Sequence, residues 1–180
     1  NHGEEDIGLP RPGDEYATLR ELVDDIGEIG PTRPPGEFHY SDSGSATLGA
    51  LVAEVSGMPL RRFIERRILE PLGMRDTHTR FDPAVPWAAR MNSTYRWTRE
   101  ACGFERYWEP SRDQRFRYFR ASGGVYSTTA DYARFVTMWM NGGRLGDVRL
   151  LSTATVEAAL RPVADRGTGQ AYAMHWTIYN

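Results

Sequence analysis

The sequence contains no lysine, because all 22 basic residues among its 180 are arginine. Chemistry that needs a titratable amine side chain must therefore obtain it from outside these residues. Cys102 is the only cysteine, so no disulfide can form within the chain. No apolar run approaches the roughly 18 residues that cross a bilayer, so the sequence predicts no membrane-spanning segment.

The charge balance is close to neutral, with a net charge of -2 and a pI near 6.1. Such a surface has no general attraction for phosphate backbones or anionic lipids, so neither nucleic acid nor membrane is predicted as a partner. The four histidines show no metal-ligand spacing, and we predict no metal or other cofactor. With 40% apolar residues, a chain of this length can bury roughly 70% of its unfolded surface, as one globular domain does.

Helical periodicity and capping residues predict several helices. Thr18 and Glu21 form a capping box ahead of a helix over residues 18–27. A second helix ends at Gly57, and a third begins at Pro59 and ends at Pro71. The second helix carries an apolar row at helical spacing: Leu48, Leu51, Val52 and Val55.

The second half of the chain begins with weak periodicity over residues 81–120, which we interpret as loops with one or two short strands, one of them at 115–119. Thr128 caps a predicted helix that ends at Asn141, and Ser152 begins another that ends at Pro162. An alternating pattern from Tyr172 to Ile178 predicts one strand with no following strand to pair with.

Tyr40 is the candidate catalytic residue. It lies on a loop that two prolines, Pro34 and Pro35, make rigid, just before the second helix. Asp42 or Ser43 can cap that helix, so the structure on both sides would hold the phenol in place. A tyrosine held in this way can act as a general base, although a tyrosine that only packs at a loop–helix junction has the same local sequence.

Several motifs together resemble one family, the serine hydrolases related to class C beta-lactamases, D-alanyl-D-alanine peptidases and family VIII-type esterases. Their order and spacing carry the resemblance more than any single motif does. They are Pro35-Gly36 through Tyr40-Ser41-Asp42, Leu48-Gly49, Val55-Ser56-Gly57, Pro71-Leu72-Gly73-Met74 with Asp76-Thr77, Ala121-Ser122-Gly123-Gly124-Val125-Tyr126-Ser127-Thr128 with Asp131, and the segment from Gly142 to Leu151.

The resemblance implies an α/β (α+β) fold of the beta-lactamase/transpeptidase type. Residues 1–180 would form a single partial domain, truncated at both ends. This domain would comprise mostly the helical region, together with the first strand of the returning antiparallel sheet. The nucleophilic Ser-x-x-Lys motif would precede Asn1, and the Lys-Thr-Gly or His-x-Gly strand would follow Asn180. Both backbone donors of the oxyanion hole would belong to those two parts, so we expect the fragment alone to be inactive.

The activity that the resemblance implies is acyl transfer to a serine, followed by hydrolysis, with Tyr40 as general base or proton relay. The expected substrates are small-molecule esters, amides or peptides. Asp42 stands where the beta-lactamase pattern has asparagine, and an ionised carboxylate cannot donate a hydrogen bond to a substrate carbonyl. This favours an esterase or peptidase, although Asp42 can equally be a plain helix cap.

Gly123 and Gly124 are the remaining candidate site residues, as substrate contacts or, in the reading we favour, as residues that a turn requires. A catalytically inactive binding module is the alternative function. The stretch from Trp97 to Tyr118 interleaves aromatic residues with arginines, as single-strand binders also do. Its acidic residues dilute that charge, so we interpret it as an exposed flap over a substrate groove.

Overall fold

The computed structural model describes residues 9–32, 34, 38–109, 116–167, 169–174 and 176–179. The helices are α1 (Leu19–Ile29), α2 (Asp42–Ser56), α3 (Leu60–Ile64), a π-helical turn (Glu65–Leu69), α4 (Glu70–Leu72), α5 (Thr129–Met140) and α6 (Thr153–Leu160), with short 3-10 turns at Gly13–Glu15 and Pro86–Arg90. The strands are β1 (Thr94–Thr98), β2 (Gly103–Trp108), β3 (Arg144–Leu145), β4 (Val148–Arg149), β5 (Ala164–Gly167), β6 (Gln170–Tyr172) and β7 (Thr177–Tyr179).

The predicted capping box of α1 is confirmed. The Thr18 hydroxyl accepts a hydrogen bond from the Glu21 amide at 3.2 Å, and the Glu21 carboxylate accepts one from the Ala17 amide at 3.2 Å. The helix continues past Gly27 and ends at Gly30, whose φ of +70° suits glycine. Gly27 is therefore tolerated inside the helix and does not end it.

The cap of α2 is Ser41 and not Asp42 or Ser43, which corrects the sequence prediction. Ser41 has extended backbone angles, and its hydroxyl accepts a hydrogen bond from the Gly44 amide at 3.0 Å. Asp42 is already the first helical residue, where its carboxylate lies favourably at the positive end of the helix dipole. The predicted end at Gly57 is confirmed, with φ +64°.

Pro71 does not end the third helical segment, contrary to the prediction. The chain passes through the π-helical turn and α4 and stops at Gly73, which has φ +65°. In that turn the Glu70 amide donates to the Glu65 carbonyl, and the Met74 amide donates to Leu69, so the helix is wider than usual. The wider turn accommodates a proline that would clash inside a regular α-helix.

The region between residues 81 and 120 contains an exposed antiparallel hairpin formed by β1 and β2. Its register pairs Trp97 with Phe104. The strand predicted at 115–119 is wrong, because the described part of that segment, residues 116–119, is irregular. Trp108 ends the hairpin and packs against Phe81, with ring centroids 5.3 Å apart.

The predicted starts of α5 and α6 are both confirmed. Thr128 accepts a hydrogen bond from the Asp131 amide, and Ser152 accepts one from the Thr155 amide. The single strand predicted from Tyr172 to Ile178 is instead two strands, β6 and β7, joined by a tight turn in which the Ala173 amide donates to the Trp176 carbonyl. These two strands and β5 form a sheet in the order β5-β6-β7.

Two clusters of buried apolar side chains hold the helices together. One lies between α5 and the segment that follows α3, and the other lies under α1 and α2. Their buried members are Leu69, Leu72, Met74 and Met138 in the first cluster, and Tyr16, Leu22 and Ala46 in the second. No helix within the described ranges has the length and apolar character needed to span a membrane.

One buried carboxylate joins the start of α5 to the turn after α4. Asp131 Oδ2 accepts hydrogen bonds from the Asp76 amide at 2.7 Å and from the Thr77 hydroxyl at 2.9 Å. Both Asp131 and Thr77 are buried. This contact fixes the segment that follows Gly124 against the segment that follows Gly73.

Candidate active site

Tyr40 lies on the short segment that leads into α2, and its side chain is 54% exposed. It forms part of the wall of an open cavity of about 440 Å³ at the amino-terminal end of α2. The surface of this cavity is mainly apolar. Its wall is formed by Phe38, His39, Tyr40, Ser41, Gly44, Ser45, Thr47, Leu48 and Tyr172.

The Tyr40 segment is held on both sides. On its carboxyl side, the Ser41 hydroxyl caps α2. On its amino side, the Phe38 ring packs on the Tyr172 ring of β6, with centroids 4.7 Å apart and planes at 48°. Pro35 and Gly36, which the sequence interpretation also used, lie outside the described residues. The backbone on either side of Tyr40 is therefore fixed, by a helix cap after it and by an aromatic contact from a distant strand before it.

Asp42 follows in the first turn of α2 and is half-buried. Its carboxylate has no ion-pair partner within the described residues. It does not form part of the cavity wall described above. An ionised carboxylate in this position accepts hydrogen bonds and attracts a cation, but it donates no hydrogen bond.

Gly123 and Gly124 lie on the loop that ends at Tyr126. Gly124 has φ +91°, and a Cβ there would lie 3.4 Å from the Phe119 ring, so the turn itself requires glycine. The same loop touches α2 at Gly49, where an added Cβ would lie 2.6 Å from the Ala121 Cβ. Gly49 is about 10 Å along the helix axis from Asp42. The structure thus brings this loop to the Tyr40 helix but not into the wall of the Tyr40 cavity, and a substrate-binding role for the two glycines stays a prediction.

The sequence did not identify two aromatic residues of the cavity wall, Phe38 and Tyr172. Phe38 is two residues from Tyr40, so its proximity to the site could have been inferred. Tyr172 comes to the cavity only through the fold of β6, a contact across more than 130 residues that no local pattern shows. His39 also lies on the cavity wall.

Burial shifts the pKa of two groups in an aromatic cluster near the hairpin. Burial lowers the pKa of His78, whose ring stacks on Trp87 at 4.0 Å, and it raises the pKa of Tyr126. The described wall of the Tyr40 cavity contains no arginine. In the part of the chain that the structure describes, no group of three acidic, histidine or cysteine side chains could hold a metal ion.

Comparison with known proteins gives consistent matches over most of the chain. A family model described as Beta-lactamase matches residues 4–180. The chain is 33% identical over 141 residues to a candidate D-alanyl-D-alanine carboxypeptidase of Escherichia coli O157:H7, covering 68% of this chain and 31% of that protein. The chain spans about a third of the length of the curated relatives it matches.

Solved structures match the fold at low sequence identity. A penicillin-binding protein from Bacillus halodurans aligns with a TM-score of 0.70 and 20% identity, over 97% of this chain and 51% of that one. EstCE1, a hydrolase with promiscuous acyltransferase activity, aligns with a TM-score of 0.72 and 20% identity, over 96% of this chain and 49% of that one. These likenesses confirm the beta-lactamase/transpeptidase-like α/β fold that the resemblance implied.

Proposed function

Because the chain belongs to the beta-lactamase family of hydrolases, we propose that its parent protein is a serine hydrolase that cleaves an ester or a small amide. Tyr40 acts in it as general base or proton relay. The observation that carries this proposal is the half-exposed phenol of Tyr40 on the wall of the cavity at the start of α2, on a segment where Phe38 and Ser41 are held by contacts. A proton-transfer group must be accessible to the substrate, and the exposed position of Tyr40 on the cavity wall meets this condition.

The proposed reaction has two halves. In the first, a serine Oγ attacks the substrate carbonyl carbon, the serine proton passes through Tyr40 to the leaving group, and an acyl-enzyme forms. In the second, water attacks the acyl carbonyl and gives up a proton by the same route, and the serine is released. Tyr40 begins and ends each half in the same protonation state, as a catalyst must.

Tyr40 needs help to act as a base near neutral pH. A phenol ordinarily ionises near pH 10. A nearby cation lowers the pKa of a phenol, or orients the neutral phenol so that it relays a proton. Since these 180 residues contain no lysine, we propose that the serine and an amine come from other parts of the protein. Residues 1–180 would then be a single partial domain that is inactive alone.

Asp42 supports an ester or peptide substrate over a beta-lactam. Its carboxylate cannot donate to a substrate carbonyl, but it can hold the ammonium group that Tyr40 needs. The name of the Escherichia coli relative fits peptide cleavage, and the name of EstCE1 fits acyl transfer through a hydrolase. We therefore propose an esterase or a peptidase rather than an antibiotic-hydrolysing enzyme.

The test uses the whole protein and the substitution Tyr40→Phe, which removes only the hydroxyl. We expect kcat/KM for a p-nitrophenyl ester or a D-alanyl-D-alanine peptide to fall by about 10²- to 10⁴-fold, the usual contribution of a positioned acid–base group. Tyr132→Phe is the matched control, because Tyr132 is 56% exposed on α5 and should be dispensable. Unchanged turnover in Tyr40→Phe would refute the role of Tyr40.

The alternative is a catalytically inactive relative that serves as a binding module. The hydrolase and the binding module differ in one measurable property, the covalent labelling of a serine by a fluorophosphonate. The hydrolase predicts stoichiometric labelling of the whole protein, whereas the binding module predicts none. The observation behind this alternative is that these residues contain no lysine.

A further inference from the structure

Three arginine side chains from separate parts of the chain line one cavity of about 470 Å³, which we call the arginine cavity. Arg61 belongs to α3, Arg80 lies on the segment after α4, and Arg117 lies on the irregular segment before Gly123. The described wall of this cavity contains no acidic side chain, and it shares no residue with the wall of the Tyr40 cavity. Its volume lies within the roughly 300–1,000 Å³ that small-molecule sites occupy.

The positive charge of the arginine cavity is mostly uncompensated. Arg61 pairs with Glu65 at 3.6 Å, but the same carboxylate also pairs with Arg62 at 3.2 Å. Arg80 and Arg117 have no ion-pair partner within the described ranges. Like charges around one cavity repel one another, so an anion bound between these guanidinium groups would be stabilised.

Aromatic rings form much of the remaining wall of the arginine cavity, and they come from Phe116, Tyr118 and Phe119. The Tyr118 hydroxyl donates to the Gly13 carbonyl at 3.1 Å, so the polar end of this side chain is already hydrogen-bonded to the backbone. The guanidinium group of Arg120 lies 4.2 Å from the centroid of the Phe116 ring, which adds a further cation beside the wall. The cavity therefore combines cations with apolar ring surfaces.

A second cavity, of about 550 Å³ and mainly apolar, adjoins the arginine cavity. The two cavities share three wall residues, Arg61, Tyr118 and Phe119. The charged side chains of Arg20 and Glu54 on the second wall pair with each other at 3.5 Å, so they leave little net charge there. The apolar part of this wall is formed by Leu19, Ala50, Ala53, Met58, Pro59 and Leu60. One cavity thus favours an anionic group, and the adjoining one favours an apolar chain.

We propose that the two cavities together bind an amphiphilic anion, a molecule with a carboxylate or phosphate head and a single apolar chain. The head lies among Arg61, Arg80 and Arg117, because planar guanidinium groups form paired hydrogen bonds with both kinds of head group. The chain lies in the adjoining apolar cavity, where its affinity grows with the apolar area that it removes from water. This site does not depend on the proposed function, since it lies apart from the Tyr40 cavity.

A membrane surface is the less suitable partner for these arginines. Lipid head groups lie in one plane, whereas the three guanidinium groups line a concave site. The net charge of -2 also gives the chain no general attraction for anionic lipids. We therefore expect a single dissolved amphiphile to bind, and we expect an intact anionic vesicle not to bind.

The first experiment measures binding to the whole protein by isothermal titration calorimetry. The ligands are dodecanoate and dodecyl phosphate, each kept below the concentration at which it forms micelles. We expect at least one of them to bind, and dodecyltrimethylammonium, which has the same chain but a positive head, to bind at least about tenfold more weakly. Shortening the chain from dodecyl to octyl should weaken binding by up to about fourfold for each methylene removed. Inorganic phosphate, which has no chain, should bind more weakly than any of these anions.

Four outcomes of this experiment would overturn the proposal. The first is that neither anion binds to the whole protein. The second is that the cationic amphiphile binds as tightly as the anions, because the arginines would then have no role. The third is that inorganic phosphate binds as tightly as dodecyl phosphate, because the apolar cavity would then contribute nothing. The fourth is that the protein sediments with phosphatidylglycerol vesicles but binds no dissolved amphiphile, which would indicate a membrane-binding surface instead.

The second experiment uses substitutions to test the position of each half of the ligand. Arg80→Gln and Arg117→Gln should each weaken the binding of the anionic amphiphile by about tenfold or more, because each removes a charged hydrogen-bond donor. Both side chains are exposed and lack an ion-pair partner within the described residues, so neither change should disturb the fold. Ala53→Leu extends a side chain of the apolar wall and should weaken the binding of the dodecyl chain. Arg99→Gln, at an exposed position in the turn between β1 and β2, is the matched control and should leave binding unchanged. Equal losses in Arg99→Gln and Arg117→Gln would contradict a specific site.

Tyr40→Phe separates this site from the candidate active site. We expect this variant to bind the amphiphile as tightly as the unsubstituted protein does, whatever its effect on turnover. If Tyr40→Phe lowers the affinity as much as Arg117→Gln does, the ligand lies in the Tyr40 cavity and the proposal is wrong. If Tyr40→Phe retains activity while Arg117→Gln loses binding, the catalytic role of Tyr40 fails and the amphiphile site stands.

Discussion

Gly49→Ala should destabilise the protein, although alanine is the better helix former. A Cβ at Gly49 would lie 2.6 Å from the Ala121 Cβ and 2.8 Å from Leu60 Cδ2, closer than real Cβ atoms approach. Overpacking of this kind costs about 1–3 kcal/mol, and the gain in helix propensity offsets about 1 kcal/mol. The expected net loss is up to about 2 kcal/mol, or a fall in Tm of up to roughly 8 °C.

Gly27→Ala is the matched control. Gly27 also lies inside a helix, α1, but an added Cβ there meets no atom within 4 Å. The substitution should raise stability by about 0.5–1 kcal/mol, because alanine loses less backbone entropy than glycine on folding. Thermal unfolding followed by circular dichroism compares the two variants with the unsubstituted protein. If Gly49→Ala is as stabilising as Gly27→Ala, the close approach of α2 to the Ala121 loop does not exist.

Two further substitutions test the contacts that hold the neighbouring loops. Asp131→Ala should cost about 2–4 kcal/mol in chemical denaturation, because two buried donors lose their acceptor; Asp147→Ala, on an exposed turn, should change stability by less than about 0.5 kcal/mol. A loss in Asp131→Ala no larger than that of the control would contradict the contact. Burial lowers the pKa of His78 below its ordinary value of 6.5, so the unfolded chain binds a proton more readily and stability should fall as pH drops below that value. The stability of His78→Gln should depend less on pH over the same interval. Parallel curves of Tm against pH for His78→Gln and the unsubstituted protein would refute this prediction.

Helix positions could be predicted from the sequence because their signals are local. The hydroxyls of Thr18, Thr128 and Ser152 each bond to an amide three residues away, and the sequence shows these pairs directly. Ser41 was missed because three adjacent residues, Ser41, Asp42 and Ser43, can all cap a helix. Only the extended backbone of Ser41 identifies it as the cap, and that backbone conformation is not readable from composition.

The sheet regions were predicted less well because strand pairing depends on distant contacts. The segment from Tyr172 to Ile178 has the alternation of one strand, but a turn closes within it, and the Met174 amide donates to the Ala159 carbonyl at the end of α6. One or two short strands were predicted between residues 81 and 120, but the positions of β1 and β2 were not, because neither strand has a buried face and therefore neither shows regular alternation. The cavity beside Tyr40 could not be predicted because it also depends on a distant contact. Tyr172 reaches the cavity through the β5-β6-β7 sheet.

The most informative difference between sequence and structure lies in α2. The apolar row at Leu48, Leu51 and Val55 predicts a buried face, yet the structure buries the glycine and alanine side instead. The two patterns lie on opposite sides of the helix, and the described residues pack only against the glycine and alanine side. Gly49 serves the inner contact by its lack of a side chain, whereas Leu48, Leu51 and Val55 are exposed within the described structure. Since Tyr40 lies at the end of this helix, an element covering the outer face would also determine what stands beside the phenol.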